Sequence, residues 1–307
     1  MKNILLSFIL FPLFLSAQDE EIPGCMNFYS SNYNSEATID DGSCEFTQAT
    51  ISEFTFTNCG QEGRYGPDQN QVNNEYAGTT LANQVISNNG IQEWVVPFSG
   101  TYTIEAFGAQ GGYSTYGYMG GYGAMMSGEV YLESGQLIQI LVGQQGGQST
   151  ELAAGGGGGS FVAHNNTPII VSGGGSGGGG NFYPENGQPG LTSLDAGSTS
   201  CCSGGTNGYG GSSSVGSGGA GGFYGDGMSG YSSTAGVGFL SGGFGGSDGC
   251  GHGGYGGFGG GSGGEWCYVG ATGAGGGYSG GAGTNENGVA SGGGSFNAGE
   301  NQDNIAG

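Results

Sequence analysis

Glycine limits this chain more than any other feature. The chain holds 79 glycines in 307 residues, and they concentrate in residues 173–299. Glycine weakens the interior of both helices and strands, because it has the most conformational freedom to lose. The clearest run reads Gly253-Gly254-Tyr255-Gly256-Gly257-Phe258-Gly259-Gly260-Gly261, a period of three. A helix repeats every 3.6 residues and a strand every 2, so neither suits it. A polyproline-II helix turns once in three residues and rises about 3.1 Å per residue, which sets Tyr255 and Phe258 on one edge about 9 Å apart. The other two edges are bare, so neighbouring backbones can approach closely. Such a helix makes no internal hydrogen bonds, and its N–H and C=O groups must be satisfied by neighbours. Collagen needs a strict Gly-X-Y period and abundant proline. This stretch holds only Pro184 and Pro189. A packed bundle of short glycine helices is the expectation. Disorder is the alternative, and the segment before the stretch argues against it.

That segment reads as strands. Phe54 and Phe56 alternate with threonine, and residues 92–97 form a run ended by Pro97. Residues 101–107 alternate, as do 136–142, and residues 124–132, 160–163 and 168–171 complete the set. Short strands at this spacing predict an antiparallel β-sandwich over residues 51–172. No amphipathic helix is expected in the mature chain.

The N-terminus reads as a secretory signal peptide over residues 1–17: Lys2, an apolar run over residues 4–15, and Ser16-Ala17 before a cut. The run is too short to span a bilayer, so no transmembrane segment remains after cleavage. The expected location is extracellular or on the cell surface, where disulfides persist. Residues 18–50 form a short module closed by Cys25 and Cys44. Its pattern resembles a module of bacterial surface proteins that use type IX export. Asp40 and Asp41 are calcium candidates there, but calcium takes six or more oxygens, so an acidic turn is the favoured reading.

The sandwich segment and the glycine stretch together resemble the glycine-rich extracellular region of the anaplastic lymphoma kinase and leukocyte tyrosine kinase receptors. The matching residues are Phe56-Thr57-Asn58-Cys59-Gly60, Gly66-Pro67, Asn73-Asn74-Glu75-Tyr76 and Gly90-Ile91-Gln92 with Trp94, Val96 and Pro97. Gly108-Ala109, Gly111-Gly112, Ile140-Leu141-Val142-Gly143-Gln144-Gln145-Gly146 and residues 154–159 follow. Pro168-Ile169-Ile170 and Gly275-Gly276-Gly277-Tyr278-Ser279-Gly280-Gly281 complete the set. The resemblance implies a jelly-roll sandwich like that of tumour necrosis factor, with a bundle of glycine helices inserted as residues 173–299. Two departures stand out. Val72 replaces the family's cysteine after the Gly-Pro turn, which leaves Cys59 free or paired between chains. Residues 300–307 read as a tail cut short before a closing strand. No kinase motif is present, so the expectation is a non-catalytic chain.

Cys201, Cys202, Cys250 and Cys267 lie inside the glycine stretch and are expected to form two bridges, with connectivity open. A zinc site does not fit their spacing. The vicinal Cys201-Cys202 pair also admits a redox reading, although structural pairing is the commoner case outside the cytoplasm. His164 and His252 form no metal pattern, and no cofactor is expected. With 2 basic and 24 acidic residues and a net charge of −22, the surface repels phosphate backbones, so nucleic acid is not an expected partner.

Tyr113, Tyr116, Tyr118 and Tyr122 sit among glycine and serine in residues 111–123, the composition of adaptable binding loops. A hairpin tip covering the sandwich edge fits equally well. Tyr255, Phe258, Phe244 and Tyr278 read as the apolar contact between bundle and sandwich, since bare glycine faces cannot provide one. The function these features favour is recognition or adhesion toward an extracellular protein or polysaccharide. The alternatives are a structural surface or matrix spacer and, third, ice binding. Ice binding needs a regular row of small hydroxyl or methyl groups, and the mixed decorated positions argue against it.

Overall fold

The computed structural model describes residues 21–27, 30–45, 53–149, 153–180, 184–231, 233–249, 251, 254–264, 270–285 and 288–307. The expected signal peptide lies outside them. The chain divides into two compact units, residues 1–45 and 46–307. In the small unit β1 (Pro23–Gly24) pairs in parallel with β2 (Ile39–Asp40), and Cys25 is bridged to Cys44.

The large unit is mainly β, and its strands form two antiparallel sheets. Its strands are β3 (Val85–Asn88), β4 (Ile91–Val95), β5 (Gly100–Phe107), β6 (Met125–Leu132), β7 (Leu137–Leu141), β8 (Ser160–His164), β9 (Thr167–Ser172), β10 (Phe296–Asn297) and β11 (Glu300–Ile305). One sheet has the order β10-β9-β8-β7-β4-β3 and the other β11-β6-β5. Trp94 of β4, Ile138 and Ile140 of β7, and Leu132 of β6 share one core, with Tyr102 of β5 packed against it. Phe54 packs tilted and Phe56 edge-on against Trp94, at ring distances of 4.8 and 5.8 Å, from a segment that is not a strand.

Three expectations need correction. The chain does contain a helix where none was expected, α1 (Gln69–Glu75). Asp68 caps it: its carboxylate accepts from the Gln71 N–H at 2.9 Å, and the Gln71 side chain accepts from the Asp68 N–H at 2.8 Å. This reciprocal box satisfies two of the donors that a helix start leaves open. Val72 is the buried residue of α1 and joins Cys59 in the sandwich core, so valine and an unbridged thiol occupy apolar space together. The second correction concerns the C-terminus. Residues 300–305, read as a tail, form strand β11, which pairs with β6. Third, the bundle is not confined to residues 173–299. Residues 108–112, 120–124, 144–147 and 154–159 run within it, threaded between the strands of the sandwich.

The bundle's hydrogen bonds carry the period of three. Gly174 and Gly177 donate to the carbonyls of Gly276 and Gly273, Gly175 and Gly178 to Ala109 and Gly112, and Ser176 and Gly179 to Gln188 and Glu185. Each direction repeats after three residues. Residues 154–159 behave alike. Ala154 and Gly157 donate to Gly178 and Gly175, Gly155 and Gly158 to Gly147 and Gln144, and Gly156 and Gly159 to Ser262 and Gly259. The same run accepts from residues 109 and 112, from 273 and 276, and from 257. One run therefore has neighbours on every side.

Buried serines and threonines add cross-links. Ser262 accepts from the Ala274 N–H at 2.8 Å and donates to the Gly218 carbonyl at 2.6 Å. Thr272 accepts from the Ala290 N–H at 2.9 Å. The run chosen above for its regular period ends at Phe258. The chain reverses there, with Gly259 and Gly260 at φ of 102° and 80°, where other residues are strained.

The six-stranded sheet is covered over part of its outer face as well. Leu141, Phe161, Ala163 and Val171 point away from the sandwich core, into a second core with Phe223, Phe239, Phe258 and Tyr278 of the bundle. The Phe161 ring stacks on Phe239 at 5.0 Å, and Phe239 stacks on Phe223 at 4.9 Å. Phe258, Tyr278 and Phe244 thus make the expected contact. Tyr255 is half-buried outside this cluster, beside Gly63.

Two predictions test these layers. In Gly158→Ala the new methyl would overlap the Phe258 carbonyl. Overpacking of this kind costs about 1–3 kcal/mol, and more where only backbone can move. Denaturant unfolding should show at least that loss, and bundle amides should exchange faster. In the sandwich, the Tyr76 hydroxyl accepts from the Thr57 N–H at 3.0 Å and donates to Gln92 Oε1 at 2.6 Å. Tyr76→Phe strands both groups and should lower stability by about 2 kcal/mol.

Candidate functional site

The connection from β5 to β6 builds the candidate site. Its two arms pair with each other: Gly108 donates to Ala124 at 2.8 Å and Gly111 to Gly121 at 3.0 Å. They also pair outward, Gly112 to Gly155 and Gly121 to Ser176, both at 2.9 Å. The arms are bundle runs, so the connection is not the simple sandwich-end loop its position between two strands suggested. Only residues 113–119 leave the bundle.

The turn is closed locally. Ser114 donates to the Tyr118 carbonyl at 3.0 Å, and Gly117 donates to Ser114 with φ of 88°. Neighbouring turns hold it on two sides. Ser114 bridges Ser149, the Met119 N–H donates to Asn186 Oδ1 at 3.0 Å, and Gly187 donates to the Met119 carbonyl at 2.8 Å.

The four tyrosines are separated by this geometry. Tyr113 and Tyr116 stand on the turn, 42% and 48% exposed, with Met119 at 46% between the same supports. Tyr118 is half-buried. Tyr122 is 64% exposed on the returning arm, where its carbonyl accepts from Gly190. Met119 was not singled out from the sequence, since a lone methionine in a glycine loop carries no pattern. The signal was its place next to Tyr118 in a segment with no room to bury it.

Beside the turn lies an open groove of about 400 Å³, walled by Glu185, Gln188, Pro189 and Leu191, by residues 197–200, and by Thr284, Asn285 and residues 288–292. One wall leads into the vicinal cysteines, which are bridged to each other. Thr199 ties that loop down: its N–H donates to the Cys202 carbonyl at 2.9 Å and its hydroxyl to the Gly283 carbonyl at 2.9 Å. Cys250 and Cys267 lie outside the described residues, as does His252.

The other candidates lie on other elements. Asp40 and Asp41 accept from the Gly42 and Ser43 N–H groups at 3.0 and 2.9 Å, an acidic turn in the small unit. Hydrogen bonds from Ser43 hold the Asp41 carboxyl below its ordinary pKa. Among the described residues no three His, Cys, Asp or Glu side chains converge as a metal site. His164 Nδ1 lies 2.9 Å from the Leu137 carbonyl, on the hairpin between β8 and β9. No described helix is long and apolar enough to cross a membrane.

Cys59 is buried and unbridged, and burial pushes its thiol pKa up. A thiolate is the reactive form, so Cys59 should resist alkylation. Non-reducing peptide mapping is expected to find Cys25 linked to Cys44 and Cys201 to Cys202. Iodoacetamide should label Cys59 in denaturant and leave it largely unlabelled in the native protein.

No protein-family model matches the chain. Over 101 residues it is 37% identical to the leukocyte tyrosine kinase receptor of Mus musculus, a stretch covering 32% of this chain. That stretch is 11% of the receptor's length, so the chain spans about a tenth of this relative, and the relationship is partial and distant.

Proposed function

We propose that this chain is a non-catalytic recognition or adhesion domain that works outside the cell, and that the turn at residues 113–119 meets its partner. The carrying observation is that Tyr113, Tyr116 and Met119 are exposed on a backbone pinned from both sides. Tyrosine offers a large contact area for little lost rotamer freedom, and a pre-formed turn has little left to order on binding. Tyr122 extends the surface along the arm. The relative is a receptor by name, which supports recognition over catalysis, although the shared stretch is a small part of it.

The bundle is then a rigid mount. We read its runs as polyproline-II helices, because a three-residue turn with no internal bonds sends successive N–H groups in three directions. Ser176, Ser217, Ser262 and Ser279 are fully buried between runs, which speaks against a surface row of hydroxyls for ice.

Replacing Tyr113, Tyr116 and Tyr122 together with serine tests the reading. Interface anchors typically contribute about 2 kcal/mol or more, a factor of roughly 30 in affinity. Adhesion of the purified protein to cells should fall by at least tenfold with the melting temperature unchanged. Unchanged adhesion would favour the spacer reading instead.

A further inference from the structure

We propose that the groove beside the turn binds a neutral polysaccharide. This deepens the recognition reading and rests on it for the biological role, not for the chemistry. The groove arises where bundle runs diverge. Residues 191 and 197 both bond to the run at 292–293, Leu191 to the Gly293 carbonyl at 2.9 Å and Gly197 to the Gly292 carbonyl at 3.2 Å. Beyond those bonds the two walls separate, leaving residues 290–292 as the floor. The first wall continues through Asn186 to the Met119 N–H, so groove and turn belong to one end of the bundle.

The lining selects the ligand. Gln188, Ser198, Ser200 and Asn285 are exposed neutral groups that both donate and accept hydrogen bonds, the chemistry that reads sugar hydroxyls. Leu191 and Val289 add small apolar patches suited to the C–H faces of a sugar ring. Among the described residues of the lining, Glu185 is the one that carries a charge. No lysine or arginine follows Arg64 in the sequence, and Arg64 is engaged elsewhere, its Nε donating to the Gly245 carbonyl at 2.8 Å. Sulfate, phosphate and uronate groups would therefore meet a negative surface with no cation to receive them. An apolar ligand would need a mostly apolar pocket. The volume lies within the usual range of about 300–1,000 Å³ for ligand sites.

Affinity electrophoresis of the whole chain tests this, with dextran, laminarin or galactomannan in the gel and alginate as the anionic counterpart. Retardation is expected in at least one neutral gel and not in alginate. Gln188→Ala with Asn285→Ala, both at exposed positions, should weaken that retardation at least tenfold at unchanged melting temperature. Ser200→Trp, which fills the groove, should do the same and serves if the double variant is unstable. Retardation in no neutral gel, retardation in alginate alone, or retardation that survives both variants overturns the proposal. If cell adhesion depends on the tyrosines while no neutral gel retards the protein, the turn keeps its role and the groove loses its ligand. If the groove variants abolish retardation and the tyrosine variant leaves adhesion intact, the groove stands without the turn.

Discussion

The structure depends on glycine backbones approaching one another more closely than any side chain allows. At Gly155, Gly156, Gly157 and Gly158 a methyl group would overlap the carbonyls of Tyr255, Ala274, Ala109 and Phe258. The hydrogen that glycine carries in that place points at the same oxygen, a weak Cα–H···O contact that adds to the N–H···O bonds of the run. Neither contact is strong alone, and a net hydrogen bond contributes only about 1 kcal/mol. Ordering each residue costs about 1–2 kcal/mol, with glycine at the upper end. A glycine bundle is therefore not self-supporting, and the sandwich must supply what it lacks.

The supply takes two forms. Three runs are the direct continuations of strands: β5 into residues 108–112, β7 into 144–147 and β9 into 173–179. The strands fix where each run starts, so the bundle is templated by the sheets. The second form is apolar. Phe223, Phe239, Phe258 and Tyr278 spend the few large side chains of the bundle on the outer face of the six-stranded sheet. Burying one such ring is worth about 1.5–3 kcal/mol, more than a hydrogen bond between runs. The rings sit where bundle meets sheet, and the bundle interior keeps to glycine, alanine, serine and threonine.

This division explains what could be read in the sequence. Strands β4 to β9 were legible because one or both faces are buried and the apolar pattern survives. β3 was missed although Asn89-Gly90, both at positive φ, is a strong hairpin signal between it and β4. α1 was missed because two turns with one buried residue show no period, yet Asp68 and Gln71 spelled its cap. β11 had no apolar signal to offer. It is an exposed edge strand, held by its ladder to β6 and by amides such as Asn304, whose Oδ1 accepts from Asn297 at 2.9 Å. The bundle's period was legible, but its membership was not, since which runs pack together depends on sheet topology. Tyr113, Tyr116 and Tyr122 were visible as residues, while the separation of Tyr118 from them required the turn. The groove left no trace, because its walls come from three distant segments whose residues are ordinary alone.

The same topology carries the functional argument. A glycine bundle has almost no side chains, so a surface with chemistry can form only where runs end and the chain turns. Runs templated by strands start at the sheets and turn away from them. Residues 113–119, 147–149 and 184–187 meet at such turns. Tyrosine, methionine, asparagine and glutamine appear at these turns, where the spacing rule that excludes them elsewhere no longer holds. Stiffness in the runs and chemistry at the turns are two consequences of one constraint, the requirement for bare backbone inside the bundle.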